Sequence, residues 1–278
     1  MSLTSLRRLA LGACLGLIAV PALADPALAD PGPDTVRIED LTWTEVKARM
    51  EQGATTIIVP TGGTEQNGPH MVIGKHNDII RYTTAEIARR LGNTLVAPVL
   101  AYVPEGSWDP PEGHMRFPGS ISVPDPIYEK VLESTVRSFA VEGFKTVLFI
   151  GDSGPNQHPQ EVVAKRLDAE LKARGIHVYQ IGDYYAQNGQ EEWLKSQGFS
   201  DADIGVHAAL ADTAQLMAIR PDGVRTELLA SSAGNADGSK NGVIGDPAKA
   251  TAVIGRKLLE LKIETAVREI RKDLAAGD

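Results

Sequence analysis

Cysteine is nearly absent from this sequence: Cys14 is the only one among 278 residues. A single cysteine excludes an intrachain disulfide and any thiolate-rich zinc or iron–sulfur site. Basic residues are also short, 28 Lys and Arg against 36 Asp and Glu, for a net charge of −8. That deficit argues against a nucleic-acid backbone as a partner. No internal repeat, low-complexity tract or clean linker interrupts the chain. With 42% hydrophobic and 23% charged residues, the composition is globular rather than disordered, collagenous or multi-span membrane. The length suits one sizeable domain. Any bound metal must therefore be held by carboxylates and by some of the six histidines.

Only one apolar run is long enough to suggest export. Arg7 and Arg8 precede an apolar stretch over 9–20, and Ala22-Leu23-Ala24 follows as a small-residue cleavage site. A positive start, a short apolar middle and an A-x-A end make a signal peptide over 1–24. The stretch is short for a membrane anchor. Cleavage after Ala24 removes both arginines, no acid and Cys14, so the mature chain is more acidic and free of thiols. That suits an oxidising compartment, periplasmic or secreted. Residues 25–40, rich in Pro and Asp at their start, read as a flexible lead-in.

From 41 to 278 apolar runs alternate with amphipathic segments. The runs 55–60 (TTIIVP), 94–103, 146–150 (TVLFI) and 177–181 (HVYQI) read as strands. Helical spacing covers 77–91, 126–142, 159–174, 202–218 and 247–275. Bare apolar strands separated by helices predict one α/β domain, layered α/β/α, with a mainly parallel sheet. In such sheets the chemistry lies past the carboxyl ends of the strands. Two strands run there into polar, glycine-rich loops, 61–70 and 151–158.

The first loop offers Glu65 and His70, with His76 beyond it; a carboxylate and an imidazole suit a divalent metal. The bland alternative is a helix cap. The second offers Asp152, which either enters an active-site crevice or caps the next helix. A long Pro-rich loop carries Trp108 and His114, which line a pocket or merely pack locally. His207, followed by small residues and Asp212, is a candidate general acid/base on a predicted helix, with a core histidine as the rival reading. His158 and His177 read as incidental. No G-x-S-x-G surrounds Ser153, so a nucleophile elbow is unsupported.

These segments together resemble the creatininase (creatinine amidohydrolase) family over roughly 41–259. The carriers are Leu-Thr-Trp at 41–43, P-T-G-G-T-E-Q-N-G-P-H at 60–70 and H-M-R-F-P-G-S-I-S at 114–122. T-V-L-F-I-G-D-S-G-P-N at 146–156, H-A-A-L-A-D-T at 207–213 and G-V-I-G-D-P-A-K-A-T at 242–251 add to them. The resemblance implies a layered α/β fold, a divalent-metal centre, homo-oligomers and hydrolysis of C–N bonds in cyclic amides, formyl amides and some peptides. Glu65 and His207 match the family's pattern. Asn67 stands where a ligand His is usual, His76 where a bridging Asp is usual, and Ser153 where another His is usual. Pro155 replaces a carboxylate found in some members, and Asp212 replaces a Glu. An imidazole offers one free lone pair, so His76 cannot bridge two cations as a carboxylate does.

The expectation is an exported amidohydrolase for a small, cyclic substrate, with no nucleic-acid partner and no membrane after signal cleavage. One divalent ion per chain, Zn, Mn or Fe, is assigned to Glu65, His76 and Asp152. Proton transfer is assigned to His207 and Asp212, and substrate contacts to Asn67, His70, Trp108 and His114. Two rival readings stay open. One is a metal-free periplasmic binding protein for a small molecule. The other is a metal-dependent hydrolase or lyase of a cyclic ketone or sugar-derived ring.

Overall fold

A computed structural model describes residues 32–277. The signal peptide, its cleavage site and residues 25–31 of the lead-in lie outside the described residues. In chain order the elements are α1 (Trp43–Glu51), β1 (Thr56–Thr61), α2 (Lys75–Leu91), β2 (Thr94–Val96) and α3 (Asp125–Glu142). They continue with β3 (Thr146–Gly151), α4 (Gln157–Leu171), β4 (His177–Gln180), α5 (Gln190–Ser196) and α6 (Asp201–Ile204). Last come α7 (Leu210–Ile219) and α8 (Ala252–Gly277). The four strands form one parallel sheet in the order β2-β1-β3-β4.

The pleat explains how the sheet is covered, because successive side chains point to opposite faces. Ile57, Val59, Val147 and Phe149 join one apolar cluster with Tyr128, Leu132 and Val136 of α3 and Val163 and Leu167 of α4. Ile58, Leu148 and Ile150 join the other, with Ile80 and Ile87 of α2 and Ile263, Ala266 and Ile270 of α8. A sheet buried on both faces needs the uninterrupted apolar strands seen in the sequence. The expected α/β/α layering with a parallel sheet is what the chain adopts. Among the described residues no helix is long and apolar enough to cross a membrane.

Three differences from the sequence reading bear on the site. The run 94–103 is a strand only to Val96; beyond it single bridges join Leu100 to Thr61 and Val103 to Ser122. The segment 202–218 is two helices, since Gly205 (φ 65°) and Ala208 (φ 52°) adopt left-handed backbone between them. His207 therefore sits in a loop, bridged to Ile244, and not on a helix. Part of the expected lead-in is also ordered, because Val96 N donates to Val36 O at 2.8 Å along the edge of β2.

The chain leaves β1 towards β2 on one side and returns to β3 on the other. The carboxyl ends of β1 and β3 thus flank the point where the strand order reverses. That is where open α/β sheets leave a crevice.

Candidate active site

The loop after β1 rises from the sheet and drops back into the start of α2. Two glycines permit that path. A Cβ on Gly62 would lie 2.1 Å from Asn77 Oδ1, and one on Gly63 would lie 2.1 Å from Glu105 Oε1. The return places Lys75 and His76, in the first turn of α2, directly under Glu65.

His76 lies between two carboxylates. Its Nε2 donates to Glu65 Oε1 at 2.8 Å and its Nδ1 to Asp152 Oδ2 at 2.7 Å. Burial and the Lys75 ammonium oppose its proton, but the two carboxylates outweigh them and lift its pKa to about 9. Both ring nitrogens of His76, expected as a metal ligand, are taken up by these two carboxylates in the structure. Asp152, the third expected ligand, is likewise held by protein partners. Its Oδ1 accepts from Lys262 Nζ at 2.6 Å and from Tyr184 Oη at 2.8 Å, while His76 holds the other oxygen.

Lys75 is fully buried, 3.0 Å from Asp212 Oδ2 and 3.4 Å from Glu65 Oε1. Burial opposes its charge, yet Asp212 and Glu65 raise its pKa beyond the usual lysine range. Asp212 also accepts from Ala208 N at 2.8 Å. Burial would raise its pKa, but Lys75 and His76 hold it far below the usual carboxylate range. Expected in proton transfer, Asp212 in the structure anchors Lys75 and the left-handed turn after His207 through one oxygen, Oδ2.

The second oxygen of Glu65 faces His114 Nε2 at 2.9 Å, and Oε1 lies 3.6 Å from His207 Nδ1. His207 Nε2 donates to Gln66 O at 2.9 Å, which leaves the Nδ1 lone pair towards Glu65. Burial pushes the His207 pKa down to about 4, so the ring is neutral at pH 7. Glu65, His114 and His207 offer three ligand atoms within 4.8 Å of one another. This set fits one divalent ion: two imidazoles and a carboxylate with room for a further ligand. One adjustment is needed. Gln66 Nε2 donates to Gly242 O and lies 3.2 Å from His114 Nδ1, so His114 keeps its proton on Nε2, towards Glu65. To ligate through Nε2 it must release that proton.

A cavity of about 700 Å³ opens above these groups. Besides the residues named, its wall includes Arg116, Phe117, Ser153, Tyr185 and Ile244. Tyr185 Oη lies over Gly154, where a Cβ would come within 2.9 Å of it.

Three of the expected substrate contacts lie elsewhere. Asn67 is buried beneath the loop, its Nδ2 donating to Glu65 O at 3.0 Å and Val72 O at 3.2 Å. His70 is also buried, with Nε2 3.0 Å from Thr213 Oγ1. Trp108 is 55% exposed and outside the cavity wall. His114, by contrast, joins the donor set itself.

The structure adds three residues that the sequence reading passed over. Lys75 adjoins His76 and carried no separate signal. Lys262 did carry one: it falls in the apolar stripe of α8 with Leu258 and Ala266, where a lysine needs a buried partner. Glu105, in the loop beyond β2, is buried beside Ser153, whose Oγ donates to Oε2 at 3.4 Å, and its Oε1 has no partner. Burial and the Glu65 carboxylate push its pKa up to about 9.

Comparison with known proteins agrees with this architecture. The family model for creatininase, described as creatinine amidohydrolase, matches residues 39–270. The mycofactocin precursor peptide peptidase of Mycolicibacterium smegmatis is 24% identical, covering 82% of this chain and 90% of that protein. Creatinine amidohydrolase of Pseudomonas putida is 25% identical, covering 68% and 73%. A crystal structure of creatinine amidohydrolase superposes with a TM-score of 0.71 at 23% identity, over 87% of this chain and 98% of that one. A structure titled "Creatininase Mn" gives 0.70 at 21% identity, over 86% and 98%. The parallel sheet, the crevice at its switch point and a family match spanning most of the chain lead to one assignment: this chain belongs to the creatininase family of amidohydrolases.

Proposed function

We propose that this chain is an exported hydrolase that cleaves the C–N bond of an amide in a small, cyclic substrate, with one divalent cation held by Glu65, His114 and His207. The convergence of those three donors on the cavity floor carries the reading. The names of the two relatives support amide chemistry, since a peptidase and a creatinine amidohydrolase both break C–N bonds. Zn, Mn or Fe in this site would act as a Lewis acid towards a carbonyl oxygen and lower the pKa of water.

The chain's own residues prepare the site. Lys75 and His76 keep Glu65 ionised in spite of its burial, well below the usual carboxylate range. The Gln66 carbonyl fixes the His207 tautomer. Lys75, His76 and Lys262 set positive charge along the cavity wall, where negative charge develops as an amide carbonyl is attacked. Tyr185 and Arg116 are placed to orient the substrate at the mouth. The charged stretch before the apolar run and the A-x-A site support export, and N-terminal sequencing of the mature protein would check it.

The test is metal analysis of purified protein followed by hydrolysis assays on small cyclic and formyl amides, with products identified by mass spectrometry. About one equivalent of metal and C–N cleavage are expected. Glu65→Gln or His114→Ala should lose the ion and at least about 100-fold in kcat/KM, the scale of a lost electrostatic or Lewis-acid contribution. No bound metal and no hydrolysis after adding Zn, Mn or Fe would overturn the reading. Stabilisation by small metabolites alone would then favour a binding protein. Cleavage of C–C or C–O bonds would favour a ring hydrolase or lyase.

A further inference from the structure

Segments far apart in the chain meet at Asp152. It stands immediately after β3, buried, with both oxygens engaged. Oδ1 accepts from Lys262 Nζ of α8 at 2.6 Å and from Tyr184 Oη, in the loop beyond β4, at 2.8 Å. Oδ2 faces His76 Nδ1 of α2 at 2.7 Å, and the other nitrogen of that ring faces Glu65 Oε1 at 2.8 Å. A continuous line of polar contacts therefore runs from α8 through Asp152 and His76 to Glu65. The line is braced from the side. Lys262 Nζ lies 4.6 Å from the centre of the Tyr184 ring, and Tyr184 Oη lies 2.9 Å from Thr83 Oγ1 of α2. Lys262 is only 6% exposed, in a stripe that is otherwise apolar. Apolar residues in place of a buried ion pair often leave a protein as stable or more so. A buried lysine at this position points to a task beyond holding the fold.

We propose that Lys262 is a positioning residue for the metal centre. Through Asp152 and His76 it fixes the orientation of Glu65, the carboxylate that the cation would share with His114 and His207. Those two histidines also face Glu65, but both sit outside the sheet and the long helices. The line through Asp152 instead ties Glu65 to α8 and to the end of β3. Partners that orient a ligand from behind commonly change metal affinity 10–100-fold when they are lost. The last helix of the chain thus governs how the first loop presents its carboxylate. The inference rests on the proposed ion site at Glu65, His114 and His207, and it requires nothing of the protonation of any group in that line.

The experiment uses mature protein stripped with EDTA and reloaded with zinc or cobalt(II). Chelator competition gives the zinc Kd, and the visible spectrum of the cobalt form reports ligand geometry. Lys262→Ala should weaken zinc binding at least about 10-fold and shift the cobalt bands. Lys262 lines the cavity, so ethylammonium chloride can reach the vacated position and should restore both readouts. Tetramethylammonium chloride, a cation without an N–H, should not. Ile270→Val on the same helix trims the core without touching Asp152 and should leave affinity and spectrum unchanged. If Lys262→Ala does not fold, Tyr184→Phe, which removes the other donor to the same oxygen, is read by affinity and spectrum. Wild-type affinity and spectrum in the folded variant would overturn the inference. So would a loss that ethylammonium leaves unchanged, or an equal loss in Ile270→Val, since either makes the role of Lys262 structural only. If wild type itself binds neither zinc nor cobalt, the single-ion reading falls and this inference with it. That outcome is distinct from equal binding by wild type and variant, which defeats this inference alone.

Discussion

At the scale of single residues, His70 shows a motif histidine serving the core. It is buried against Thr213, and burial lowers its pKa from 6.5 to about 4. The folded chain keeps it neutral, whereas the unfolded chain protonates it below about 6.5. Its contribution to stability is therefore present above pH 6.5 and is lost as the pH falls towards 4. The shift corresponds to roughly 3 kcal/mol. Denaturant unfolding between pH 7 and 4 should show wild type losing stability more steeply than His70→Gln; equal slopes would rule this out. Glu105 has the opposite sign. Its folded pKa, about 9, stands above the ordinary 4.5, so it favours folding fully below 4.5 and progressively less up to about 9. Glu105→Gln keeps the shape without the ionisation and should gain stability over wild type between pH 5 and 8. An unchanged difference across that range would count against a neutral Glu105. Residue types were legible in the sequence here, but roles were not. Glu65, His114 and His207 could be singled out as site residues. Whether an imidazole meets a metal, a hydroxyl or two carboxylates depends on partners far away in the chain.

At the scale of elements, the strands were easiest to read, because burial on both faces demands continuous apolar runs. The helices were harder where the backbone breaks. Between α6 and α7 the apolar spacing continues, yet Gly205 and Ala208 turn left-handed and release His207 from the helix. For a non-glycine residue such as Ala208 the contacts around it must hold that conformation, and the bond from its N–H to Asp212 is one of them. In α8 the stripe of Leu258, Ile263, Ala266 and Ile270 was visible, but the close crossing of α8 and α7 was not. A Cβ on Gly255 would lie 1.8 Å from Ala214 O, a backbone atom that cannot swing aside. Gly255→Ala should therefore destabilise the protein by about 1–3 kcal/mol despite the better helix propensity of alanine. It should also weaken ion binding, since α7 carries Asp212 and so fixes Lys75. A Tm equal to wild type would show that the two helices can separate without cost.

At the scale of the whole molecule, stability and function are placed in different parts of one fold. The sheet and its two apolar faces form the rigid base, with Ile57, Ile58, Val147 and Leu148 fully buried. The site is built on segments that cross the ends of the strands and contribute few residues to those clusters. Residues 105–120 carry His114 between exposed Trp108 and Gly119, and residues 231–242 close the cavity from the other side. Local opening follows the number of buried contacts, so these segments should open at lower free energy than the sheet. Hydrogen exchange read by mass spectrometry should show β1 and β3 exchanging only with global unfolding. Peptides from 105–120 and 231–242 should exchange at least about 100-fold faster. Adding one equivalent of divalent ion should then slow the peptide containing His114, because His114 would join Glu65 through the ion. Peptides of β1 and β3 already have that protection and should change far less. If the ion protected all segments equally, it would be acting on global stability rather than gathering three separate segments at the crevice. If it protected only the sheet, the donors on the cavity floor would not be its ligands.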